Sequence, residues 1–275
     1  MCQASTHFLS WRLKDLIDWG GAKGSFMISD RQANFIDDQP CSVPLAPSPR
    51  TFFMTIRDIA FWIRSARADA RLNGCLHDVG NGQAFDRLYA AVQDPFGTEL
   101  PRYRYQRRKY DSLLSMLPRR RYRQVLDIGC GLGAFTRKLA PFADRVIGAD
   151  VSAEALRQAR GLSVGFDNLS FMQLNVLDGC DEDLSFDLII LADTLYYIDP
   201  LTDACLKRIA CNIASKLTPG GLMLVVNHFF FGIDAASRST RKIHDSFRWA
   251  PILECVAEYR RPFFLATLLN RVQAC

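Results

Sequence analysis

The sequence predicts an α/β protein with a doubly wound, mostly parallel sheet and an amino-terminal helical extension. Three observations carry this. A short apolar run, Val125-Leu126-Asp127-Ile128, enters the glycine turn Gly129-Cys130-Gly131-Leu132-Gly133, which opens a helix. Further apolar runs, 145–150, 169–174 and 185–191, end on polar residues at one edge and alternate with helical spacings, the β-α alternation of layered folds. After a further apolar run at 222–227, two more strand-like stretches close the chain at 252–259 and 263–269, giving seven strands with the last antiparallel.

The glycine turn is the element around which the rest is arranged. Glycines at alternate positions leave the backbone bare where a ligand can press against it, and the helix that starts near Gly133 aims its unpaired amides and positive dipole end at the same place. Gly129, Gly131 and Ala134 also fit the G-x-G-x-x-G/A pattern of dinucleotide sites. Asp127 favours another ligand. It lies at the carboxyl end of the first strand, two residues before the first glycine, where it would repel a pyrophosphate and attract an ammonium group. S-adenosylmethionine (SAM) is a ligand with an ammonium, a sulfonium and no phosphate.

The second strand ends in Asp150, 17 residues after Gly133, where Rossmann-like folds place the acid that accepts from both ribose hydroxyls. Ser152 is placed to cap the helix 153–160. After the third strand comes Asn175-Val176-Leu177-Asp178. The fourth, with the continuous apolar run of a central parallel strand, leads into Ala192-Asp193-Thr194-Leu195-Tyr196-Tyr197 at the edge where open α/β sheets hold their ligands. A helix over 201–217 ends at Thr218-Pro219-Gly220-Gly221, and strand 222–227 is followed by His228, a side chain able to take a proton near neutral pH. The segment 229–249 reads as a substrate-side insertion holding a helix.

Upstream, Trp11 to Trp19 suggests one amphipathic helical turn, and the glycines and four prolines between 20 and 49 a loosely structured stretch. Phe52, Phe53, Ile56, Ile59, Ile63 and Ala66 recur at helical spacing, predicting a packing helix over 51–72; its arginines leave open a membrane-surface role. Asn73-Gly74 and Gly80-Asn81-Gly82 predict a hinge. Arg102 to Arg123 holds nine basic residues against Asp111 alone, a balance of +8 in a chain of net charge +5, so the rest sums to about −3. This run reads as a lid over the ligand, with Tyr105 offered to the sulfonium, as a solvated basic face, or as a surface that steers an anionic partner such as nucleic acid. No nucleic-acid module accompanies it.

At 275 residues, 49% hydrophobic and 23% charged, the composition is that of an ordinary soluble domain. No run approaches the roughly 18–20 apolar residues of a membrane span, and no secretory signal pattern is read at the start. Nine scattered cysteines without a C-x-x-C pair argue against a disulfide framework and a zinc site. A cytoplasmic protein with reduced thiols and no metal is expected.

Asp127-Ile128-Gly129-Cys130-Gly131-Leu132-Gly133 resembles motif I of the class I SAM-dependent methyltransferases, and 193–198 resembles motif IV, though not the Asn-Pro-Pro-Tyr type that holds a nucleobase amine. A narrower resemblance, to the nodulation-protein-S-like (NodS-like) methyltransferases, rests on Phe85-Asp86-Arg87-Leu88-Tyr89, Asp94-Pro95-Phe96-Gly97, Tyr105-Gln106-Arg107-Arg108-Lys109-Tyr110 and Leu195-Tyr196-Tyr197. That family's namesake N-methylates the free amine of a deacetylated chitooligosaccharide. The chain departs from the pattern at Phe96, where tryptophan is common, and at Asp193-Thr194, where Glu-Val is common.

The resemblance implies a SAM-dependent transferase acting on a small molecule or saccharide, at nitrogen rather than oxygen, with S-adenosylhomocysteine (SAH) as product. The implied cofactor residues are Asp127, Gly129, Gly131, Gly133, Asp150, Val151, Asn175, Val176, Asp193, Tyr105 and Arg108. Asp193, Tyr196 and His228, in that order, are the candidates to accept or orient the acceptor's proton. The expected organisation is an extension over 1–80, a helical lid and substrate-side segment over 81–123, and the SAM-binding domain over 124–275. Two other classes fit the same turn: an NAD(P)-dependent oxidoreductase, and a non-catalytic interaction protein that keeps the pocket.

Overall fold

The computed structural model describes residues 56–79, 81–101, 103–179, 184–198, 200–230, 234–261 and 263–272, with the side chains of 56–58, 73–79 and 81 excepted. The turn expected at Trp11 to Trp19, the glycine- and proline-rich stretch and the start of the first helix lie outside them.

Among the described residues the order is α1 (Ile56–Val79), α2 (Asn81–Ala91), α3 (Arg104–Met116), β1 (Tyr122–Ile128), α4 (Ala134–Leu139), β2 (Ala143–Asp150), α5 (Ala153–Leu162), β3 (Leu169–Gln173), β4 (Phe186–Ala192), α6 (Asp203–Ala214), β5 (Leu217–Phe229), α7 (Ala235–Arg248), β6 (Leu253–Arg261) and β7 (Phe263–Arg271). One seven-stranded sheet results, in the order β3-β2-β1-β4-β5-β7-β6. The first five strands pair in parallel and β7 runs antiparallel to both β5 and β6. Parallel strands buried on both faces need continuous apolar runs, and β1 and β4 supply them: Leu126 stands opposite Ile147 on one side and Ile189 on the other. The core divides between the two faces. Leu113, Met116, Phe135 and Leu139 pack on one; Ile209, Ile213, Ile243 and Phe247 pack on the other.

Order reversal at β1 and β4 leaves a crevice beyond their carboxyl ends, the place where such sheets take ligands. Every candidate on β1, β2, β4 and β5 lies at that edge.

Three local expectations are corrected. The helix expected to stop at Leu72 runs through Asn73-Gly74 to Val79, because Ala68 and Leu72 pack on Ala84 and Leu88 of α2 and that burial outweighs the roughly 1 kcal/mol helix cost of one glycine. Thr218 to Gly221 lies within β5 as an irregularity in its pairing with β4 rather than before the strand. The helix of 229–249 belongs to the fold: Ile243 and Phe247 of α7 are buried in the core, so this is the crossover that returns the chain to β6, not an insertion. No helix among the described residues is long and apolar enough to cross a membrane.

Candidate active site

Backbone conformation defines the glycine turn. Gly129, Gly131 and Gly133 have φ of +74°, +53° and +78°, a region that costs an L-residue about 1–2 kcal/mol. Space is equally restrictive. A side-chain carbon on Gly129 would run into Thr194, and one on Gly131 would come within 2.8 Å of Tyr89 Oη. Thr194 Oγ1 in turn donates to the carbonyls of Ile128 (3.2 Å) and Ala192 (2.9 Å), stitching the turn after β4 to the turn after β1. Gly129→Ala therefore combines strain with collision, and is expected to cost at least about 2 kcal/mol. A thermal melt should show a fall of several degrees.

Asp127 is buried beneath this turn and accepts from Thr136 Oγ1 at 2.6 Å. Burial pushes its pKa up to about 7, with Asp150 adding to the rise and the Thr136 hydrogen bond opposing it. A carboxylate so placed calls for a cation. Because its folded pKa lies above its unfolded value, the folded state holds the proton longer, and this group destabilises the ligand-free fold progressively as pH rises from about 4 to 7. Asp127→Asn should accordingly gain on the wild type across that window, by up to about 4 kcal/mol, read as a widening difference in urea midpoints.

Asp150 is held by backbone donors. Gly131 N–H reaches Oδ2 at 2.8 Å and Ser152 N–H reaches Oδ1 at 3.0 Å, while burial raises its pKa against their effect. Ser152 caps α5 as expected, accepting from Ala155 N–H at 3.0 Å, and donates to Asp86 of α2 at 2.7 Å. Asp86 also accepts from Glu154 N–H at 3.0 Å. The Phe85–Tyr89 motif thus pins α2 at the positive end of α5, which brings Tyr89 against Gly131. Asp94 of the second motif accepts from Thr98, Glu99 and Leu100 N–H at 2.8–3.2 Å, folding the loop between α2 and α3.

Val151 is half-buried after β2 and Val176 is buried in the core. Asn175 forms a local turn: its Oδ1 accepts from Leu177 N–H at 3.1 Å and its amide donates to Asp178 at 3.0 Å. Arg108 is half-buried on α3. The ring of Tyr105 does not line the glycine turn. It is enclosed by Phe61, Trp62 and Phe263, with centroids 5.2–6.3 Å apart, because Tyr105, Lys109, Ser112, Leu113 and Met116 share the buried stripe of α3. The tyrosine beside the glycines is Tyr89.

Asp193 occupies a left-handed conformation (φ +53°), a strain of the kind found at functional sites, and its N–H donates to Val226 O at 2.8 Å. Its carboxylate is flanked by two bases. Lys109 of α3, fully buried, is in direct contact with Oδ2, and His228 Nδ1 lies 3.0 Å from Oδ1. Burial would raise the Asp193 pKa, but His228 and Lys109 prevail and hold it well below the ordinary range. A carboxyl held that low is a poor proton acceptor, which argues against placing Asp193 first among the candidates and leaves Tyr196 and His228. Tyr196 Oη stands 3.3 Å from the same Nδ1. A carboxylate at 3.0 Å and a tyrosine hydroxyl at 3.3 Å both face Nδ1, and a neutral ring with its proton on Nδ1 would leave Nε2 as the basic nitrogen. Trp62 of α1 covers the imidazole edge-on at 5.7 Å.

The basic run divides along the same lines. Lys109 is interior, whereas Arg121 and Arg123 form exposed pairs with Asp144 and Asp187, of small energetic weight. Lys109, Thr136, Tyr89 and Thr194 are the site residues that the sequence left unassigned. The first had a signal, its place on the apolar stripe of α3.

Comparison with known proteins agrees with this geometry. The model of the Methyltransferase domain family matches residues 121–261. Nodulation protein S of Sinorhizobium fredii is 31% identical over 165 residues, 59% of this chain and 71% of that protein. Its counterpart in Rhizobium tropici is 32% identical over 57% of this chain and 60% of that protein. Among solved structures, the N-methyltransferase NodS from Bradyrhizobium japonicum in complex with SAH superposes with a TM-score of 0.58 at 23% identity, covering 70% of this chain and 98% of that one. A putative methyltransferase from Pseudomonas syringae gives 0.51 at 26% identity, covering 61% and 99%. The bare glycine cradle and the buried, cation-seeking Asp127 fit the cofactor of that family. The chain belongs to the methyltransferase-domain family: it is a SAM-dependent enzyme of the class I, Rossmann-like fold, related to nodulation protein S.

Proposed function

We propose that the enzyme methylates an amine nitrogen on a small molecule or saccharide, with His228 as the group that takes the acceptor's proton. The observation that supports this most is the buried triad Lys109–Asp193–His228 at the carboxyl edge of the sheet. Its logic is that of a positioned base: the carboxylate fixes the ring and stabilises the charge it gains. The relative described as an N-methyltransferase points to the same acceptor atom.

When bound, SAM supplies an electrophilic methyl group on a positively charged sulfur. In this reading Asp127 meets the ammonium of its methionine part, and the bare backbone at Gly129, Gly131 and Gly133, whose own N–H groups are bonded within the fold, lets its main chain approach closely. Asp150, its oxygens already fixed by two amides, turns its remaining lone pairs to the ribose. Asn175 keeps a lone pair on Oδ1 for the adenine amino group, and Val151 and Val176 pack near the base. Residues 124–275 act as the cofactor domain and 81–123 as the segment that closes it, with 1–80 as an extension. His228 Nε2 would take the surplus proton of the acceptor nitrogen, and Asp193 would hold the ring and balance the charge it gains. Alignment of nucleophile and methyl carbon supplies much of the rate.

Incubation with methyl-labelled SAM and matched acceptors tests the proposal: glucosamine oligomers with free amines, their N-acetylated forms, and sugars bearing hydroxyls alone. Label is expected on nitrogen in the first group only. Label on oxygen, or equal transfer to the N-acetylated forms, would overturn it.

A further inference from the structure

Two buried polar atoms near the Asp193–His228 pair have no hydrogen-bond partner among the described residues: Nε1 of Trp62 and Oε1 of Gln106. The two residues are 5% and 7% exposed. A buried indole N–H ordinarily finds an acceptor, and a native fold rarely leaves such an atom unbonded without a reason. Neither residue belongs to the matched domain at 121–261, and neither has a part in holding the cofactor as read above.

Both lie on the acceptor side. The Trp62 ring stands edge-on to the His228 imidazole with centroids 5.7 Å apart, and it packs on Phe230 at 5.5 Å and Tyr105 at 5.2 Å. Gln106 follows Tyr105 on α3 and precedes Lys109 by one turn on the same buried face. Lys109 in turn touches Asp193. Helices α1 and α3 thus bring one N–H and one carbonyl oxygen to the surroundings of the carboxylate and the ring.

We propose that Trp62 and Gln106 form a hydroxyl subsite for the acceptor: Trp62 Nε1 donates to, and Gln106 Oε1 accepts from, hydroxyl groups next to the amine that is methylated. The proposal rests on the reading of the enzyme as an amine methyltransferase. An indole nitrogen only donates and a carboxamide oxygen only accepts. The amine itself cannot serve them, because its lone pair goes to the methyl carbon and its surplus proton to His228. Hydroxyls do both, each donating once and accepting twice. An amine on a purely apolar frame would leave both atoms buried and unbonded, which is how a site rejects an analogue that lacks a hydroxyl. The rings of Trp62, Tyr196 and Phe230 around His228 supply the apolar walls that binding sites combine with a few placed polar groups.

Calorimetry on the SAH-bound enzyme tests the subsite with two amines, glucosamine and cyclohexylamine, the second a six-membered ring without hydroxyls. Trp62→Phe and Gln106→Met each remove the polar atom and keep most of the side chain. Each is expected to weaken glucosamine binding about three- to tenfold, with cyclohexylamine and SAH affinities unchanged. In turnover with labelled SAM the loss should fall on the acceptor KM rather than on kcat. Wild-type glucosamine affinity in both variants, or an equal loss for both amines, would overturn the subsite, since a purely structural residue does not distinguish them. If Trp62→Phe fails to fold, Gln106→Met carries the test. A wild type that transfers methyl to cyclohexylamine as well as to glucosamine would overturn the subsite and leave the amine reading standing. Hydroxyl-dependent binding of glucosamine with no label on nitrogen would overturn that reading and leave the subsite. Failure of the wild type to bind either amine would overturn both.

Discussion

His228→Asn is expected to bind SAH like the wild type and to lose about two to four orders of magnitude in kcat, the range for removal of a positioned base. The substitution leaves Asp193 in contact with Lys109, so the turn after β4 keeps its anchor and the loss falls on turnover. KM for the acceptor should move little, because the interaction removed is one that strengthens as the proton transfers. Tyr196→Phe, which takes away a hydroxyl 3.3 Å from Nδ1 but leaves the carboxylate, should have a smaller effect. Initial rates with labelled SAM, paired with SAH titration, check both. A His228→Asn enzyme within threefold of wild-type kcat would show that the acceptor sheds its proton unaided.

Lys109→Met should produce the largest loss of stability, up to about 3–5 kcal/mol at pH 7, the penalty for removing one partner of a buried ion pair, with His228 left beside Asp193. The lysine is fully buried on α3 and its ammonium meets Asp193 Oδ2 and the face of Phe264 at 5.5 Å. The pH dependence follows from the depressed pKa of Asp193. A group whose folded pKa lies below its unfolded value contributes stability above the unfolded value, near 4, and loses it as pH falls through the folded one. The gap between wild type and Lys109→Met should accordingly narrow as pH falls, because the variant's carboxylate, without the lysine, takes up its proton before the wild type's does. Urea denaturation at pH 7 and pH 3.5 measures it. Replacing Asp193 as well, by an apolar residue, should recover part of the loss at pH 7.

Sheet and glycine turn were legible in the sequence because both are local. Continuous apolar runs mark β1 and β4 wherever they occur, and the positive φ at Gly129, Gly131 and Gly133 favours glycine there. What the sequence obscured depends on distant partners. Lys109 stood in a run of nine basic residues that read equally as a lid, a solvated face or a steering surface, and its contact is Asp193, 84 residues away. Asp69 meets Tyr197 across 128 residues. Asp193, by its type, suggested a proton acceptor, and only the two bases beside it show that it must stay charged. Tyr105 was assigned to the ligand by its neighbours in sequence, while the periodicity of α3 placed it with Leu113 and Met116 in the interior. The glycines at 74, 80 and 82 promised a hinge, and packing between α1 and α2 carried the helix to Val79.

The assignment of the cofactor site turns on Asp127, and one titration addresses it directly. SAH is added to wild-type protein and to Asp127→Ala in a calorimeter, with NADH run alongside. Micromolar SAH binding by the wild type, weakened at least about tenfold in Asp127→Ala, with no NADH binding, is the result expected. Equal SAH affinity in both proteins, or NADH binding in place of SAH, would contradict it.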